Sequence, residues 1–454
     1  MKTHNAPYIS TTNACKLCKP LGACLALRGV EGAVPFLHGS QGCATYMRRY
    51  IISHYREPMD IASSSLGEKQ AVYGGGPNLK QGLKNVQTKY GARLIGVATT
   101  CLTETIGDDV PGIVREFRRE AIGSEPVRAE FVTVSTPSYS GTHMEGFHAA
   151  VRALVEQLAQ AGEPTEAVNL LPGLVSPADI RYLKEILEDF RLPGIILPDL
   201  SDTLDGPAQL DYEKIPAGGT PLAAIKASGR SRATLEFGRT LSGQETAGRW
   251  LENHCGVPLH SLGMPIGLRE TDRFFGVLEE ISGQAVPSRH ADERGRLLDA
   301  YVDGHKYVFN QRAVVYGEED LVVGLVSFLA EIGVKPVLCA SGGKSGRFRE
   351  AIVEVTREIL PEPPLVLAGA DFYEIAEAAK ELAPDLFIGH SKGYKTARSL
   401  QAPLIRVGFP IHDRFGGQRL LHLGYRGAQS LLDRIINALL EKKQQDSPVG
   451  YGYL

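Results

Sequence analysis

The sequence predicts an α/β protein built on mainly parallel sheets, and two observations carry that reading. From about residue 93, short β-branched runs alternate with helix-length amphipathic segments, the pattern of strands covered by helices on both faces. At 454 residues the chain also has room for about three units of ordinary domain size. The polar stretches PTEAV (164–168) and VDGHKYVFNQ (302–311) read as passages between units. The chain then divides into three Rossmann-like domains, 1–165, 166–308 and 309–454. The last ends in a helix and a polar tail, EKKQQDSPVGYGYL.

Each element follows from its local pattern. RLIGVATT and FVTVSTP have the composition and length of buried strands. HMEGFHAAVRALVEQLAQ, after the second of them, is helical. AVNLLPG, SPADIRYLKEILEDF and GIILPDL make a strand, a helix and a strand. Ser176 is a natural cap for that helix, and Pro177 takes the first helical position, where its missing N–H costs nothing. ATLEFGRT and QETAGRWLENHC repeat the unit. AVVYG, DLVVGLVSFLAEIG, KPVLCASGG, DFYEIAEAAKELA, DLFIGHS and PLIRVGFP complete it in the last third.

Composition removes several function classes. A hydrophobic content of 43% with 22% charged residues is that of a globular chain. The net charge of −3 lacks the basic excess of a nucleic-acid binder. The first residues, MKTHNAPYISTTNACKLC, contain no apolar stretch of secretory type. The most apolar segment, AVVYGEEDLVVGLVSFLAEIGV, is broken by Glu318, Glu319 and Asp320, short of the ~18 uninterrupted apolar residues of a membrane span. The expectation is a cytoplasmic protein that spans no membrane. YGGGPN, SGGKSG and FGGQ fit neither phosphate-binding glycine pattern. SGGKSG reads as a turn between a strand and a helix.

The cysteines stand at 15, 18, 24, 43, 101, 255 and 339. Seven is odd, and a reducing cytosol keeps thiols free, so a disulfide framework is not expected. Cys24, Cys255 and Cys339 read as small core residues. Cys15 and Cys18 form a C-x-x-C, but no strand precedes it and no second ligand pair follows, which argues against thioredoxin and zinc chemistry. Cys18 in KLCKPLGA, beside a proline and a nearby glycine, Cys43 closing HGSQGC, and Cys101 at the end of the strand RLIGVATT in ATTCLTETIGDD share one kind of setting. Each alone reads as an inert thiol. Together they suit a zinc ion or an iron–sulfur cluster.

These three phrases, with HYREPMDIASSSLGE and VYGGGPNLKQGLKNV between them, resemble the β-type subunits of the nitrogenase component 1 family in wording, order and spacing. The resemblance implies that Cys18, Cys43 and Cys101 bind part of an iron–sulfur cluster at an interface with an α-type partner. Three thiolates are too few for a cluster that takes at least four ligands, so a second chain would supply the rest. Ser138, in STPSYSGTH, is similar to a serine that ligates the oxidised cluster; its other reading is a cap for the following helix. Gly39 and Gly42 would let the backbone close around a bulky anion.

ILPDLSDTLDG, LGMPIGLRETDRFFGVLEEISG, RGRLLDAYVDGHKY and GFPIHDRFGGQRLLHLGYRG resemble the scaffold branch of that family, NifN. The resemblance implies an α2β2 heterotetramer with NifE, on which a precursor delivered by NifB receives molybdenum and homocitrate with the help of NifH. The iron–molybdenum cofactor precursor would be held mainly by NifE. The shared cluster would be four-iron or a P-like eight-iron cluster, and no catalytic residue is expected in this chain. The alternative is the β subunit of a nitrogenase or nitrogenase-like reductase. His38, His54, His290, His305, His390 and His412 read as hydrogen-bonded structural residues. MRRYIISHYR (47–56) reads as a solvated helix face, its other role being charge compensation for an anionic cluster. The acidic residues of CLTETIGDD would favour the start of the next helix through its dipole.

Overall fold

The computed structural model describes residues 13–121, 129–241 and 243–450. The leader read as unlike a secretory signal therefore lies mostly outside the described residues. The strands form three sheets, and every strand pair is parallel. The first holds β1 (Ala33–His38), β2 (Ala62–Ser63), β3 (Leu94–Thr99) and β4 (Glu130–Val134) in the order β2-β1-β3-β4. The second holds β5 (Val168–Leu171), β6 (Gly194–Ile196), β7 (Ala233–Phe237) and β8 (Leu259–Leu262) in the order β6-β5-β7-β8. The third holds β9 (Arg312–Tyr316), β10 (Lys335–Ser341), β11 (Leu365–Ala368), β12 (Leu386–Gly389) and β13 (Leu404–Arg406) in the order β11-β10-β9-β12-β13. All six residues of β1 and of β3 are buried, as a strand covered on both faces requires.

These orders decide where sites can form. In the first sheet the chain runs from β1 to β2 on one side and then returns to β3 on the other. The reversal leaves a crevice between the loops after β1 and β3, the usual ligand position of an open parallel sheet. Residues 39–43 follow β1 and residues 100–101 follow β3, so Cys43 and Cys101 fall at that crevice. The third sheet reverses in the same way between β9 and β12.

Cys18 arrives from another direction. It caps α1 (Lys19–Arg28), a helix buried from Pro20 to Arg28. That helix lies against the helix His143–Leu158 at glycine-only distance. A Cβ on Gly22 would stand 1.6 Å from the His143 carbonyl oxygen, and one on Gly146 would stand 1.9 Å from that of Lys19. Neither position has room for a methyl group.

Two stretches differ from their sequence reading. VDGHKYV is the end of the helix Ser288–Val308, which buries only His290, Glu293, Leu297, Gly304 and Val308. EKKQQD likewise belongs to the helix Gly424–Asp446. Polar composition misled in both cases, because a helix with one narrow buried stripe is mostly polar. Ser176 behaves as expected: its Oγ accepts from the Asp179 N–H at 2.9 Å, with Pro177 next. SGGKSG is the turn between β10 and the helix Phe348–Thr356. Among the described residues no helix is long and apolar enough to cross a membrane.

Candidate metal centre

All three sequence-selected cysteines stand at helix starts. Cys18 is the N-cap of α1, Cys43 is the third residue of α2 (Gln41–Tyr55), and Cys101 opens the helix Cys101–Ile106. At such positions backbone N–H groups and the helix dipole favour a thiolate or an anionic group bound to it. Cys18 and Cys43 are half-buried and Cys101 is exposed. Cys15, Cys24 and Cys339 are buried, and Cys255 is half-buried. Burial, with Glu318 nearby, pushes the Cys15 thiol up to about 12. Burial also raises Cys24 and Cys339 well above the ordinary thiol value, and they pack in the core.

A continuous set of hydrogen bonds ties the three cysteine loops together. The His38 carbonyl, at the end of β1, accepts from the Thr100 N–H at 3.2 Å. It also accepts from the hydroxyls of Thr100 at 3.1 Å and Thr103 at 3.0 Å. Gly39 has no side chain for a reason inside the protein: a Cβ there would lie 2.2 Å from Thr100 Oγ1. Gly42, by contrast, faces open space, its nearest neighbour being Ser40 Oγ at 3.8 Å. Of the two glycines expected to approach a ligand, only Gly42 leaves room for one.

Ser138 closes the set. Its N–H donates to Cys101 Sγ at 3.2 Å, and its Oγ accepts from the backbone N–H of Lys19, the residue after Cys18, at 3.3 Å. The alternative reading, a cap for the following helix, is corrected. That cap is Thr142, whose hydroxyl accepts from the Met144 N–H at 3.2 Å and whose own N–H donates to Glu145. Ser138 instead starts a short turn, Ser138–Ser140. Thr100 and Thr103 join the Cys43 and Cys101 loops, which the cysteine spacing did not reveal. The T-x-x-T phrase across the start of the Cys101 helix, where the Thr103 hydroxyl accepts from the Thr100 N–H at 3.0 Å, was their one visible signal.

The surrounding polar residues are structural. His38 is fully buried between Ser64 Oγ and Asp108, each at 2.9 Å. Asp108 also accepts from the Gly75 N–H, so it is not free to serve the next helix. Asp109 does that, accepting from the Gly112 N–H at 3.0 Å. His54 Nδ1 accepts from the Ile411 N–H at 2.8 Å, and His290 lies 2.9 Å from Asp189. His305 packs on Phe309 and His412 on Tyr50. Within the basic run, Arg48 donates to the Met59 carbonyl at 2.8 Å, while Arg49 is exposed.

Whether these residues suit an iron–sulfur cluster can be tested on the geometry. Among the described residues no three His, Cys, Asp or Glu side chains are placed to hold a single metal ion. Three thiols at helix starts, one of them exposed, fit a larger anionic group completed by ligands from outside the chain.

Comparison with known proteins agrees. A family model described as nitrogenase component 1 type oxidoreductase matches residues 18–440. The chain belongs to the nitrogenase component 1 family. Among its relatives, the nitrogenase molybdenum-iron protein beta chain of Clostridium pasteurianum is 36% identical, covering 96% of this chain and 94% of that one. The corresponding protein of Methanothermobacter thermautotrophicus is 38% identical, covering 94% and 93%. A nitrogenase vanadium-iron protein beta chain from Trichormus variabilis is 35% identical, covering 93% and 92%. In a solved structure titled nitrogenase Cp1 at pH 6.5, one chain superposes with a TM-score of 0.95 at 34% identity, covering 99% and 98%. This component 1 chain is therefore of the β type, and its α/β fold of parallel sheets is that of its family.

Proposed function

We propose that this chain is the β-type subunit of a NifEN-like scaffold, holding with its α-type partner the iron–sulfur cluster of an assembly that matures the iron–molybdenum cofactor. The observation that carries the cluster assignment is the hydrogen-bonded set joining the loops of Cys18, Cys43 and Cys101 through His38, Thr100 and Ser138. Those cysteines would be the ligands, with Ser138 as an additional oxygen ligand. When bound, the cluster would supply one-electron transfer. The chain's part is to present thiolates at helix starts, where negative charge is favoured.

What supports the scaffold branch is the wording of the distal chain, ILPDLSDTLDG and GFPIHDRFGGQRLLHLGYRG above all. A second reading, a catalytic β subunit, has support of its own in the names of the nitrogenase β chains cited above. In either reading the protein works in the cytoplasm as an α2β2 assembly. NifE, NifH and the precursor donor NifB are partners only in the first.

The test is anaerobic co-purification with the cognate α-type chain, followed by iron analysis and two assays. The scaffold reading expects maturation of cofactor-free nitrogenase by the complex. Acetylene reduction with NifH in the absence of maturation would overturn it and leave the catalytic reading. Cys43→Ala should lower iron content and loosen the pair, with smaller losses for Cys18→Ala and Cys101→Ala. Unchanged iron in Cys43→Ala would refute the ligand assignment.

A further inference from the structure

The third sheet presents an open crest at the carboxyl ends of its strands, with its reversal between β9 and β12. A sheet of this order takes its ligand at that place. Here the chain's own residues 13–17, the segment leading into Cys18, lie across it. Loops from four strands hold the segment. After β11, Asp371 forms an antiparallel bridge with Ala14, and the Phe372 N–H donates to the Asn13 carbonyl at 3.3 Å. After β10, the Gly342 N–H donates to the Cys15 carbonyl at 3.1 Å. After β12, the Lys392 ammonium donates to the carbonyls of Ala14 at 2.6 Å and Lys16 at 3.4 Å. His390 Nε2 lies 3.8 Å from Cys15 Sγ.

The loop after β9 acts through a relay. Glu318 accepts from His143 Nε2 at 2.8 Å, which leaves His143 Nδ1 to accept the Leu17 N–H at 3.3 Å. The Leu17 carbonyl in turn accepts the His143 N–H at 3.0 Å. Cys18 is the next residue, so its position depends on a sheet more than 300 residues away in sequence. Cys43 and Cys101 are placed more directly, by the loops after β1 and β3.

We propose that Lys392 is a positioning residue for Cys18: it is the cationic member of a clamp that the third sheet closes on residues 13–17, and this clamp sets where the Cys18 thiol stands. An ammonium with two carbonyl acceptors from one short segment is a fastener that a neutral side chain of similar length cannot replace. Burial lowers the proton affinity of this ammonium. The proposal rests on the reading of Cys18 as a cluster ligand for its purpose, but not for its geometry.

The test uses Lys392→Met, Lys392→Arg and Gly342→Ala in the full chain. A Cβ on Gly342 would stand 2.4 Å from the Cys15 carbonyl oxygen, so that variant dislodges the segment without touching the lysine. In the metal-free chain, hydrogen exchange at residues 14–18 and alkylation of Cys18 by iodoacetamide are measured. Lys392→Met, by losing a charge-assisted bond, and Gly342→Ala, by displacing the Cys15 carbonyl, should each speed both by about tenfold or more, while β3 stays protected. Lys392→Arg, which keeps the charge, should recover most of the protection. In the complex with the α-type partner, Lys392→Met should lower iron as Cys18→Ala does. Exchange and alkylation at parent rates in both loosening variants would overturn the clamp. Faster exchange in a chain whose parent holds no iron would leave the clamp standing and refute the cluster reading instead.

Discussion

Acid should destabilise the folded chain, and the size of the effect can be worked from two imidazoles. His54, near the end of the helix that begins beside Cys43, accepts the Ile411 N–H through Nδ1. Burial, with His412 adding to it, pulls His54 down to about 3, and burial takes His390 down to about 4. Both rings are therefore neutral in the folded chain, whereas in the unfolded chain they titrate near 6.5. Above about pH 6.5 neither state binds the proton and stability does not depend on these groups. Below it the unfolded state binds more protons, so stability falls with falling pH until the folded-state values are reached. At pH 5 the loss is about 2 kcal/mol for each ring and about 4 kcal/mol together. The assay is urea unfolding of the chain at pH 7.5 and pH 5, for the parent and for His54→Gln, whose amide oxygen can still accept the Ile411 N–H. The variant should be less stable than the parent at pH 7.5, and that gap should shrink by about 2 kcal/mol at pH 5. A gap that does not change with pH would refute the argument that His54 is held neutral by its place in the fold.

Three further outcomes follow from the contacts around the cysteines and the packing behind them. Gly39→Ala should cost about 1–3 kcal/mol, the range for forcing an extra methyl into a filled site, because its Cβ would meet the Thr100 side chain. A thermal scan with iron analysis checks this, and an unchanged midpoint with full iron would show that the two loops can part. Ser138→Ala keeps the N–H to Cys101 and loses only the acceptor for Lys19, so urea unfolding of the metal-free chain should show a loss of about 0.5–1.5 kcal/mol. A much larger loss would point to a second structural role for the hydroxyl. Asp179 is buried and accepts from the backbone N–H groups of Ser176, His422 and Leu423 at 3.1, 2.7 and 3.0 Å. Asp179→Ala should therefore cost about 3–5 kcal/mol and Asp179→Asn less, since stranded buried donors carry the penalty; equal losses would contradict this.

Much of the fold was legible locally. Strands such as RLIGVATT and AVVYG announce themselves by β-branched content and length, and Ser176-Pro177 marks a helix start, because those preferences act within a few residues. The grouping of Cys18, Cys43 and Cys101 was legible only as a likeness of phrases, and the family comparison bore out the β type. Where composition and structure diverge, as in VDGHKYV and EKKQQD, the cause is a helix whose buried stripe is too narrow to colour its composition.

By itself, then, the sequence determined the kind of element at each place and the loops on which the thiols sit, since both depend on near neighbours. Only the tertiary structure decided that Gly39 is reserved for Thr100, that Ser138 joins Cys101 to the start of α1, and that Lys392 holds the approach to Cys18. The last of these pairs residues 378 positions apart. No local pattern encodes such a contact; it exists because the loops after β10, β11 and β12 meet the chain's own residues 13–16.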